Sequence, residues 1–185
     1  MRLIVVRHGE SIGNVKKIIQ GQIRNGLTKK GFSQAKKLGK KLSKENIEIV
    51  YSSDLPRAKE TVREVKKILP KIKINFTKKL RERYFGKLQG KQKFKNWEKI
   101  IWRKDFGRKE NVESFDKILK RVNSFLKTIS KKHKGKIVLL ITHKRIVQII
   151  MAIYKNPTLD YIQKMSTPRN VSIKRFDFSR HNFIK

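Results

Sequence analysis

Two short apolar runs constrain the fold of this chain more than any other feature. The sequence RLIVV at residues 2–6 and the sequence KIVLLIT at 136–142 are rich in β-branched residues, and their interiors have no polar position. Such runs are typical of parallel strands that are covered on both faces. They predict a sheet with helices packed on each side.

Three further segments predict the remaining strands of this sheet. The runs IEIVY at 47–51 and KIKINF at 71–76 are short and rich in isoleucine and valine. The segment NVSIKRFDF at 170–178 alternates apolar and polar residues. Alternation indicates a strand with one solvated face, so we place this last strand at an edge.

Helical patterns lie between the predicted strands. Thr28 is expected to cap one helix and Asp54 the next, with Pro56 in its first turn. The segment ESFDKILKRVNSFLKTIS carries a continuous apolar stripe, and a further helix is expected after Thr142. This alternation predicts an α/β fold, a three-layer α/β/α sandwich with a mainly parallel central sheet.

The length of 185 residues is that of one domain, which we expect to span residues 1–185. The segment FKNWEKIIWRKDF at 94–106 lies outside the alternation and predicts an extra helix that carries Trp97 and Trp102. We expect this helix to belong to a small helical lid over about residues 85–110.

The charge of the chain is strongly positive. Lysine and arginine number 49 against 14 aspartates and glutamates, which gives a formal net charge of +35. The cations are spread evenly and most are lysine, whereas arginine is the usual residue for bidentate recognition of bases. We therefore expect nucleic acid to bind only non-specifically, by electrostatics. A dedicated polyanion- or nucleic-acid-binding protein stays open as an alternative function.

The chain contains no cysteine, which excludes disulfides, thiolate catalysis and Cys-ligated metal sites. It shows neither a signal-peptide pattern nor a run near the roughly 20 apolar residues of a membrane helix. We expect a cytoplasmic protein with no membrane partner, and the sequence makes no prediction of its oligomeric state.

Polar residues follow three of the predicted strands. Arg7 and His8 follow the first strand, and Arg57 lies in the first turn of the helix after the second. His143 follows the KIVLLIT run. Because parallel sheets bind ligands at the carboxyl ends of their strands, we expect these side chains to meet there. Two guanidinium groups would repel a metal cation and suit an anion, especially a phosphoryl group, so we expect no metal and no cofactor.

A phosphate site becomes catalytic when it also holds a nucleophile and a proton donor. A neutral imidazole is a competent nucleophile, and Glu82, within KLRERYFGKLQG, is the candidate acid. Arg81 and Arg83 flank Glu82, and contact with either would favour the charged carboxylate and oppose this role. In an extended segment, however, neighbouring side chains point to opposite sides.

Together these motifs resemble the histidine phosphatase superfamily, which is also called the phosphoglycerate mutase-like fold. RHGESIGN resembles its N-terminal motif, and GQIRNGLTKKG resembles the segment that follows. YSSDLPRAKET resembles the second-arginine motif, LRERYFGKLQG the acidic loop and VLLITHKRI the second-histidine motif. The motifs occur in the order typical of the family and span roughly the whole chain.

The resemblance implies a metal-independent phosphomonoesterase that hydrolyses a small phosphorylated metabolite. His8 would attack the phosphorus and become a transient phosphohistidine, and Glu82 would protonate the leaving oxygen and then activate water. Arg7, Arg57 and His143 would hold the transferring oxygens. The resemblance also implies a set of substrate-binding residues, namely Asn14, Ser11, Gln20, Gly21 and Lys144.

The sequence departs from the family pattern at one position. The family most often has glycine after the second histidine, whereas Lys144 follows His143 here. This lysine either narrows the pocket or adds a cation near the substrate. The alternative activity on this fold is that of a cofactor-dependent phosphoglycerate mutase, which has a sizeable insertion after the acidic loop. The short stretch from Gly90 to Glu113 predicts a small lid and favours hydrolysis.

Overall fold

The computed structural model describes residues 1–103, 105–179 and 183, and only the backbone of Lys99. Lys104, within the expected lid, and residues 180–182 and 184–185 of the expected domain lie outside this description.

Five strands form one sheet. They are β1 (Arg2–Arg7), β2 (Ile49–Ser53), β3 (Lys73–Thr77), β4 (Ile137–Thr142) and β5 (Ile173–Asp177). Their order across the sheet is β3-β2-β4-β1-β5. The first four strands run parallel, and β5 pairs antiparallel with β1 at an edge, as its alternating pattern predicted.

Helices connect the strands and cover both faces of the sheet. Two short 3-10 turns, at Lys78–Leu80 and Gly86–Leu88, follow β3. The helices are α1 (Ile12–Val15), α2 (Lys29–Leu42), α3 (Pro56–Ile68), α4 (Trp97–Ile100), α5 (Phe115–Lys132), α6 (Lys144–Lys155) and α7 (Leu159–Lys164).

Alternation along β1 divides the core into two apolar layers. Leu3 and Val5 pack with residues of α5 and α6, while Ile4 and Val6 pack with residues of α2 and α3. All four side chains are buried, as expected for a strand with helices on both sides. The predicted three-layer α/β/α sandwich is confirmed.

The start of α3 differs from the prediction in one detail. Pro56 occupies the first turn as expected, but the N-cap is Leu55 and not Asp54. The carboxylate of Asp54 accepts two hydrogen bonds from the guanidinium of Arg81, at 2.7 and 2.5 Å. A bidentate bond to a charged fork is stronger than a bond to one backbone N–H, so Asp54 turns away from the helix. Thr28 caps α2 as predicted, accepting from the backbone of Gly31 at 3.0 Å.

The predicted helix over residues 94–106 is largely wrong, because among the described residues of that range only the four of α4 are α-helical. In a longer helix, the carbonyls of Ile101 and Trp102 would each accept a hydrogen bond from the backbone N–H four residues later in the sequence. The side chain of Arg83 donates to the carbonyl of Ile101 instead, and Gln163 Nε2 donates to that of Trp102 at 3.3 Å. The described residues that follow α4 in this segment form turns and a bend, and the side chains of Trp97 and Trp102 are buried.

Among the described residues, no helix is both long enough and apolar enough to cross a membrane.

Candidate active site

The carboxyl ends of β1 and β4 bring the two predicted histidines together. Arg7 pairs with Thr142 in the sheet, and the backbone N–H of His8 donates to the carbonyl of Thr142 at 2.9 Å. His8 and His143 therefore leave the sheet side by side, with ring centroids 5.1 Å apart at an angle of 61°. Both rings are buried.

The contacts of His8 leave its Nε2 atom unprotonated. Nδ1 lies 2.7 Å from the carbonyl oxygen of Gly9, and because a carbonyl only accepts, Nδ1 carries the proton. Nε2 then accepts a hydrogen bond from Arg57 Nε at 3.3 Å. Burial, and next the charges of Arg57 and Arg7, lower the pKa of His8 well below its ordinary value. The imidazole is neutral at neutral pH and has a lone pair at Nε2.

Arg57 is fixed by main-chain carbonyls around the site. Its Nη2 donates to Gly21 at 2.7 Å and its Nη1 to Ile23 at 2.9 Å. The position of Arg57 follows from the sequence, because Pro56 begins α3 directly after β2. Burial lowers the pKa of Arg57 to about 10, so the guanidinium keeps its charge at neutral pH beside His8 Nε2.

Arg7 is held from the opposite end of the chain. Its Nη1 donates to the carbonyl of Pro168 at 2.8 Å, and its backbone carbonyl accepts from the N–H of Val171 at 3.0 Å. Val171 has a φ of 52°, in the left-handed region that β-branched residues rarely adopt. Arg7 Nε is buried and has no hydrogen-bond partner among the described residues. That N–H is a donor available to a bound anion.

Ser53, at the end of β2, determines which nitrogen of His143 carries a proton. Ser53 Oγ accepts from the N–H of Leu55 at 3.3 Å and lies 2.8 Å from His143 Nε2. A hydroxyl that already accepts satisfies its proton best by donating it to Nε2, which places the ring proton on Nδ1. Nδ1 is buried without a partner in the described part of the chain. Burial, and next the charge of Arg57, keep the pKa of His143 well below its ordinary value.

Glu82 lies on the opposite side of the site, just after the turn Lys78–Leu80. Its Oε1 accepts from the backbone N–H groups of Arg83 and Arg145, at 2.9 and 3.2 Å. As the extended segment suggested, the two flanking arginine side chains point away from it. Arg81 binds Asp54, and Arg83 donates to the carbonyl of Glu113 at 2.7 Å. The carboxylate of Glu82 faces the charges of Arg7 and Arg57. Burial lowers the pKa of both arginines to about 10, and the charge of Glu82 opposes this shift.

These side chains surround one small cavity of about 50 Å³. Arg7, His8, Arg57 and Glu82 line it, and His143 packs behind His8. We call Arg7, His8, Arg57 and His143 the phosphoryl floor, and residues 83–113 the cover. Among the described residues, Glu82 is the one acidic residue that lines the cavity. Five cationic residues line it as well, namely Arg7, Arg57, Lys93, Lys144 and Arg145. Such an excess of positive charge suits a dianion.

Four of the five predicted substrate-binding residues line the cavity, namely Asn14, Gln20, Gly21 and Lys144. Ser11 lies behind them, with its hydroxyl 3.0 Å from both Asn14 Oδ1 and Gln20 Oε1. Asn14 Oδ1 also accepts from Asn170 Nδ2 at 3.2 Å, which leaves the amide nitrogen of Asn14 as its remaining donor. Ser11 therefore orients Asn14 and Gln20 and does not reach the cavity, because its hydroxyl is already engaged.

Gly9 allows α2 to approach the loop that carries His8. A Cβ at Gly9 would meet the carbonyl oxygen of Gly31 at 2.6 Å, and a Cβ at Gly31 would meet that of Glu10 at 2.0 Å. The N–H of Gly9 donates to Thr61 Oγ1 at 3.1 Å, which ties the same loop to α3. Both helices that flank the floor thus fix the backbone of His8.

The comparisons with known proteins agree with this geometry. The sequence pattern of the histidine phosphatase superfamily (branch 1) matches residues 3–184. The chain belongs to this superfamily. The predicted membership is confirmed, and the neighbouring structures confirm the phosphoglycerate mutase-like fold.

Two curated relatives of this histidine phosphatase chain carry phosphatase names. It is 35% identical over 157 residues to a metal-independent phosphoserine phosphatase of Arabidopsis thaliana, covering 80% of this chain and 66% of the relative. It is 33% identical over 142 residues to a putative phosphoserine phosphatase 2 of Hydrogenobacter thermophilus, covering 71% and 68%. The chain thus spans about two thirds of the length of these relatives. Among solved structures, YhfR of Bacillus stearothermophilus matches with a TM-score of 0.88 at 26% identity, covering 99% of this chain and 94% of that one.

Several residues at the site of this histidine phosphatase were missed by the sequence analysis. Arg145 is buried, lines the cavity and donates its backbone N–H to Glu82. Its place in the first turn of the helix after His143 is a signal that could have found it. Asn170, whose Nδ2 donates to the carbonyl of His8 at 2.9 Å, lies far from the motifs and had no such signal. Lys93 lies three residues after the acidic-loop motif, within the predicted lid, but nothing in the sequence distinguishes it from the other lysines there.

Metal-ligating side chains do not cluster in the described part of this chain. Over residues 1–103, 105–179 and 183, no group of three or more His, Asp or Glu residues is arranged to hold a metal ion.

Proposed function

We propose that this chain is a metal-independent phosphomonoesterase that acts on a small phosphorylated metabolite through a phosphohistidine on His8. One observation carries the proposal. The unprotonated Nε2 of a neutral, buried histidine lies against a guanidinium, in a cavity lined by further cations and one carboxylate. The phosphatase names of the relatives that match most of the chain support the same activity.

The first half-reaction transfers the phosphoryl group to the protein. Arg7, Arg57 and the amide nitrogen of Asn14 donate to the phosphoryl oxygens. His8 Nε2 attacks the phosphorus as the bond to the leaving oxygen breaks. Glu82, as the general acid, gives a proton to that oxygen and the alcohol departs.

The second half-reaction returns His8 to its starting state. Glu82, now a carboxylate, accepts a proton from a water molecule that attacks the phosphorus. The N–P bond breaks, and inorganic phosphate leaves with the oxygen of that water. Donors that are fixed before the reaction stabilise both transition states without reorganisation, which is commonly the largest contribution to catalysis.

A small cover favours water over a second substrate as the acceptor. Within the described residues of 83–113, helical structure is confined to α4 and the turn Gly86–Leu88. A mutase must keep water from the phosphoenzyme, and so little cover supports hydrolysis. Incubation of the protein with 3-phosphoglycerate and a catalytic amount of 2,3-bisphosphoglycerate tests this. We expect free phosphate to form faster than 2-phosphoglycerate, and the reverse order would favour the mutase.

Hydrolysis of p-nitrophenyl phosphate in the presence of a chelator tests the proposed function. We expect turnover by the wild type and its loss in the His8→Ala variant. The matched control is His133→Asn, because His133 lies away from the cavity and bonds Tyr51 at 2.9 Å. Acid-labile phosphate on the wild type and not on the His8→Ala variant would identify the intermediate. Equal activity of His8→Ala and wild type would overturn the assignment.

Non-specific binding of nucleic acid stays a prediction of the +35 charge. We expect RNA binding to weaken steeply as salt is raised, because such binding depends on counterion release.

A further inference from the structure

The four residues 168–171 reach the site from a part of the sequence far from its motifs. Arg7 is hydrogen-bonded to both ends of this segment. Asn170, within the segment, donates from Nδ2 to the carbonyl of His8 at 2.9 Å and to Asn14 Oδ1 at 3.2 Å. The segment thus contacts three residues that line the cavity.

The orientation of the Asn170 amide follows from its contact with the main chain. A carbonyl oxygen only accepts, so the atom of Asn170 that faces the carbonyl of His8 is the nitrogen. This nitrogen carries two protons, of which one is donated to His8 and the other to Asn14 Oδ1. Asn170 therefore presents a donor, and not an acceptor, to the side chain of Asn14.

The orientation of the Asn14 amide is set by the groups around its oxygen. The backbone N–H of Ser11 only donates and lies 3.1 Å from Asn14 Oδ1, so this oxygen faces Ser11 and Asn170. Asn14 lines the cavity, and its Nδ2 makes no hydrogen bond to the described residues. The nitrogen is therefore the atom that can donate to a phosphoryl oxygen. A flipped amide would present its oxygen and repel the anion.

The short helix that carries Asn14 is weakly anchored. It is α1, a single turn of four residues of which only Gly13 is buried. Ile12 and Val15 are 43% and 60% exposed, so apolar packing does not hold this turn in place. An isolated turn of helix is unstable in water. The position of Asn14 therefore depends on polar contacts.

Ser11 and Asn170 supply the polar contacts of the Asn14 side chain. The hydroxyl of Ser11 has one proton but lies 3.0 Å from both Asn14 Oδ1 and Gln20 Oε1, so it donates to only one of them at a time. The lasting donors to Asn14 Oδ1 are thus the N–H of Ser11 and Nδ2 of Asn170. Of these two, only Asn170 also binds the carbonyl of His8, so it fixes Asn14 relative to the nucleophile.

The backbone next to Asn170 is held in a strained conformation. Val171 has a φ of 52°, which its branched side chain disfavours, and its N–H donates to the carbonyl of Arg7 at 3.0 Å. Strained backbone persists only where surrounding contacts hold it, and it is concentrated at functional sites. The strain at Val171 is thus a second indication that this segment serves the site.

We propose that Asn170 is a positioning residue for phosphoryl transfer. It keeps the amide nitrogen of Asn14 turned toward the cavity, at a fixed position relative to His8. Asn170 acts through Asn14, because both protons of its own amide nitrogen are engaged. The proposal rests on the proposed function, because Asn14 donates to a phosphoryl group only if the cavity binds one.

A double-mutant cycle tests whether Asn170 acts through Asn14. Asn14→Leu removes the donor, and we expect kcat for p-nitrophenyl phosphate to fall by about 100-fold. Asn170→Leu removes the hydrogen bonds that orient this donor, and we expect kcat to fall by about 10-fold with KM nearly unchanged. The double variant should be no worse than Asn14→Leu, because no amide is left to orient. Losses that multiply to about 1,000-fold, or an unchanged kcat in Asn170→Leu, would overturn the proposal.

Arg169→Gln is the matched control, because Arg169 is an exposed neighbour in the same segment. It should leave kcat and KM unchanged. A loss equal to that of Asn170→Leu would assign the effect to the segment as a whole and overturn the role of the amide. Thermal melting of each variant checks that it is folded. If Asn170→Leu does not fold, Asn170→Ala, which deletes the amide without adding bulk, takes its place in the cycle.

The side-chain amide signal of Asn14 in a ¹H–¹⁵N NMR spectrum reports on the same orientation without turnover. Asn14→Leu identifies this signal by its absence. Titration of the wild type with inorganic phosphate should shift the signal, and we expect a several-fold smaller shift in Asn170→Leu at saturating phosphate. No shift in the wild type, or equal shifts in both proteins, would overturn the positioning role. Absence of any phosphatase activity would overturn the proposed function, and this titration would then decide on Asn170.

Discussion

The phosphoryl floor and the cover are held together by different kinds of contact. In the floor, the side chains of Arg7 and Arg57 donate to main-chain carbonyls, and His8 donates to the carbonyl of Gly9. Glu98 of the cover contacts Lys144 and Arg145, two residues that line the cavity, through side chains alone. Main-chain contacts cannot be exchanged without moving the fold, whereas an ion pair between side chains can. The floor is therefore tied to the main chain of the fold, whereas the contacts of Glu98 depend on side chains.

Within the cover, the side chain of Arg83 donates to main-chain carbonyls, as those of Arg7 and Arg57 do in the floor. It donates to the carbonyls of Glu113 and Ile101, and its guanidinium lies 4.9 Å from the ring of Trp102. Arg83 is thus fixed by the same kind of contact as the arginines of the floor, whereas Glu98 contacts α6 through side chains.

Substitution of Arg57 by lysine should break the floor and gives the largest expected effect. Lysine keeps the charge, but its single nitrogen cannot replace the three nitrogens of Arg57 that donate separately to Gly21, Ile23 and His8. We expect kcat/KM for p-nitrophenyl phosphate to fall by about 1,000-fold, as when a preorganised donor is lost. Arg63→Lys, at an exposed position of the same helix, is the control. A fall of less than tenfold would mean that charge alone is needed.

Glu82→Gln should separate proton transfer from phosphoryl binding. A glutamine keeps the size of the side chain but cannot protonate the leaving oxygen. For an alkyl phosphate we expect a loss of about 100-fold in kcat, within the usual contribution of general acid catalysis. For p-nitrophenyl phosphate the loss of the first step should be smaller, because nitrophenolate leaves without a proton. Equal losses in pre-steady-state bursts of both esters would argue against the acid role.

Arg83→Leu should loosen the cover and leave the floor in place. It removes the donors to the carbonyls of Ile101 and Glu113, so we expect the free energy of unfolding to fall by about 2 kcal/mol. Both tryptophans of the chain, Trp97 and Trp102, lie in the cover, so tryptophan fluorescence reports on it selectively. Fluorescence should change at a lower temperature than circular dichroism in this variant. Coincident transitions would mean that cover and floor unfold as one unit.

The contribution of the floor to the pH dependence of stability should be the smallest effect. Burial and the nearby arginines lower the pKa of His8 and of His143, so the unfolded chain takes up protons that the folded chain refuses. Stability is then fully present above about pH 6.5 and falls below it, by up to about 1.4 kcal/mol per pH unit for each histidine. His8→Asn should remove one of the two contributions from the slope, as measured by urea unfolding. An unchanged slope would contradict this origin.

The floor was predictable because its residues are adjacent in sequence to the strongest structural signals. Arg7 and His8 follow one apolar run, and His143 follows the other. Parallel pairing of β1 with β4 then places them together, whatever the rest of the chain does. The fold class, the edge strand β5 and the cap at Thr28 were predictable for the same reason, since each depends on local pattern.

The cover was not predictable, because its contacts depend on pairs that no local pattern relates. Glu98 is 46 residues from Lys144 in sequence and is one acidic residue among many charges. The helix expected over 94–106 failed because Arg83 and Gln163, both outside that segment, take its carbonyls. Ser11 looked like a ligand residue, and only its distances to Asn14 and Gln20 show its hydroxyl to be engaged.

The position of β1 in the sheet affects how the chain folds while it is being synthesised. In the described sheet β1 lies between β4 and β5, which follow β2 and β3 in sequence, and Arg7 takes its main-chain partners from Pro168 and Val171. On the ribosome, β1 must therefore wait until β4 and β5 have been made before it can be inserted between them. Contacts of such large sequence separation form late, because loop closure must precede them. A nascent chain that ends before Pro168 has already made His8, but it lacks the contacts that hold Arg7 beside it.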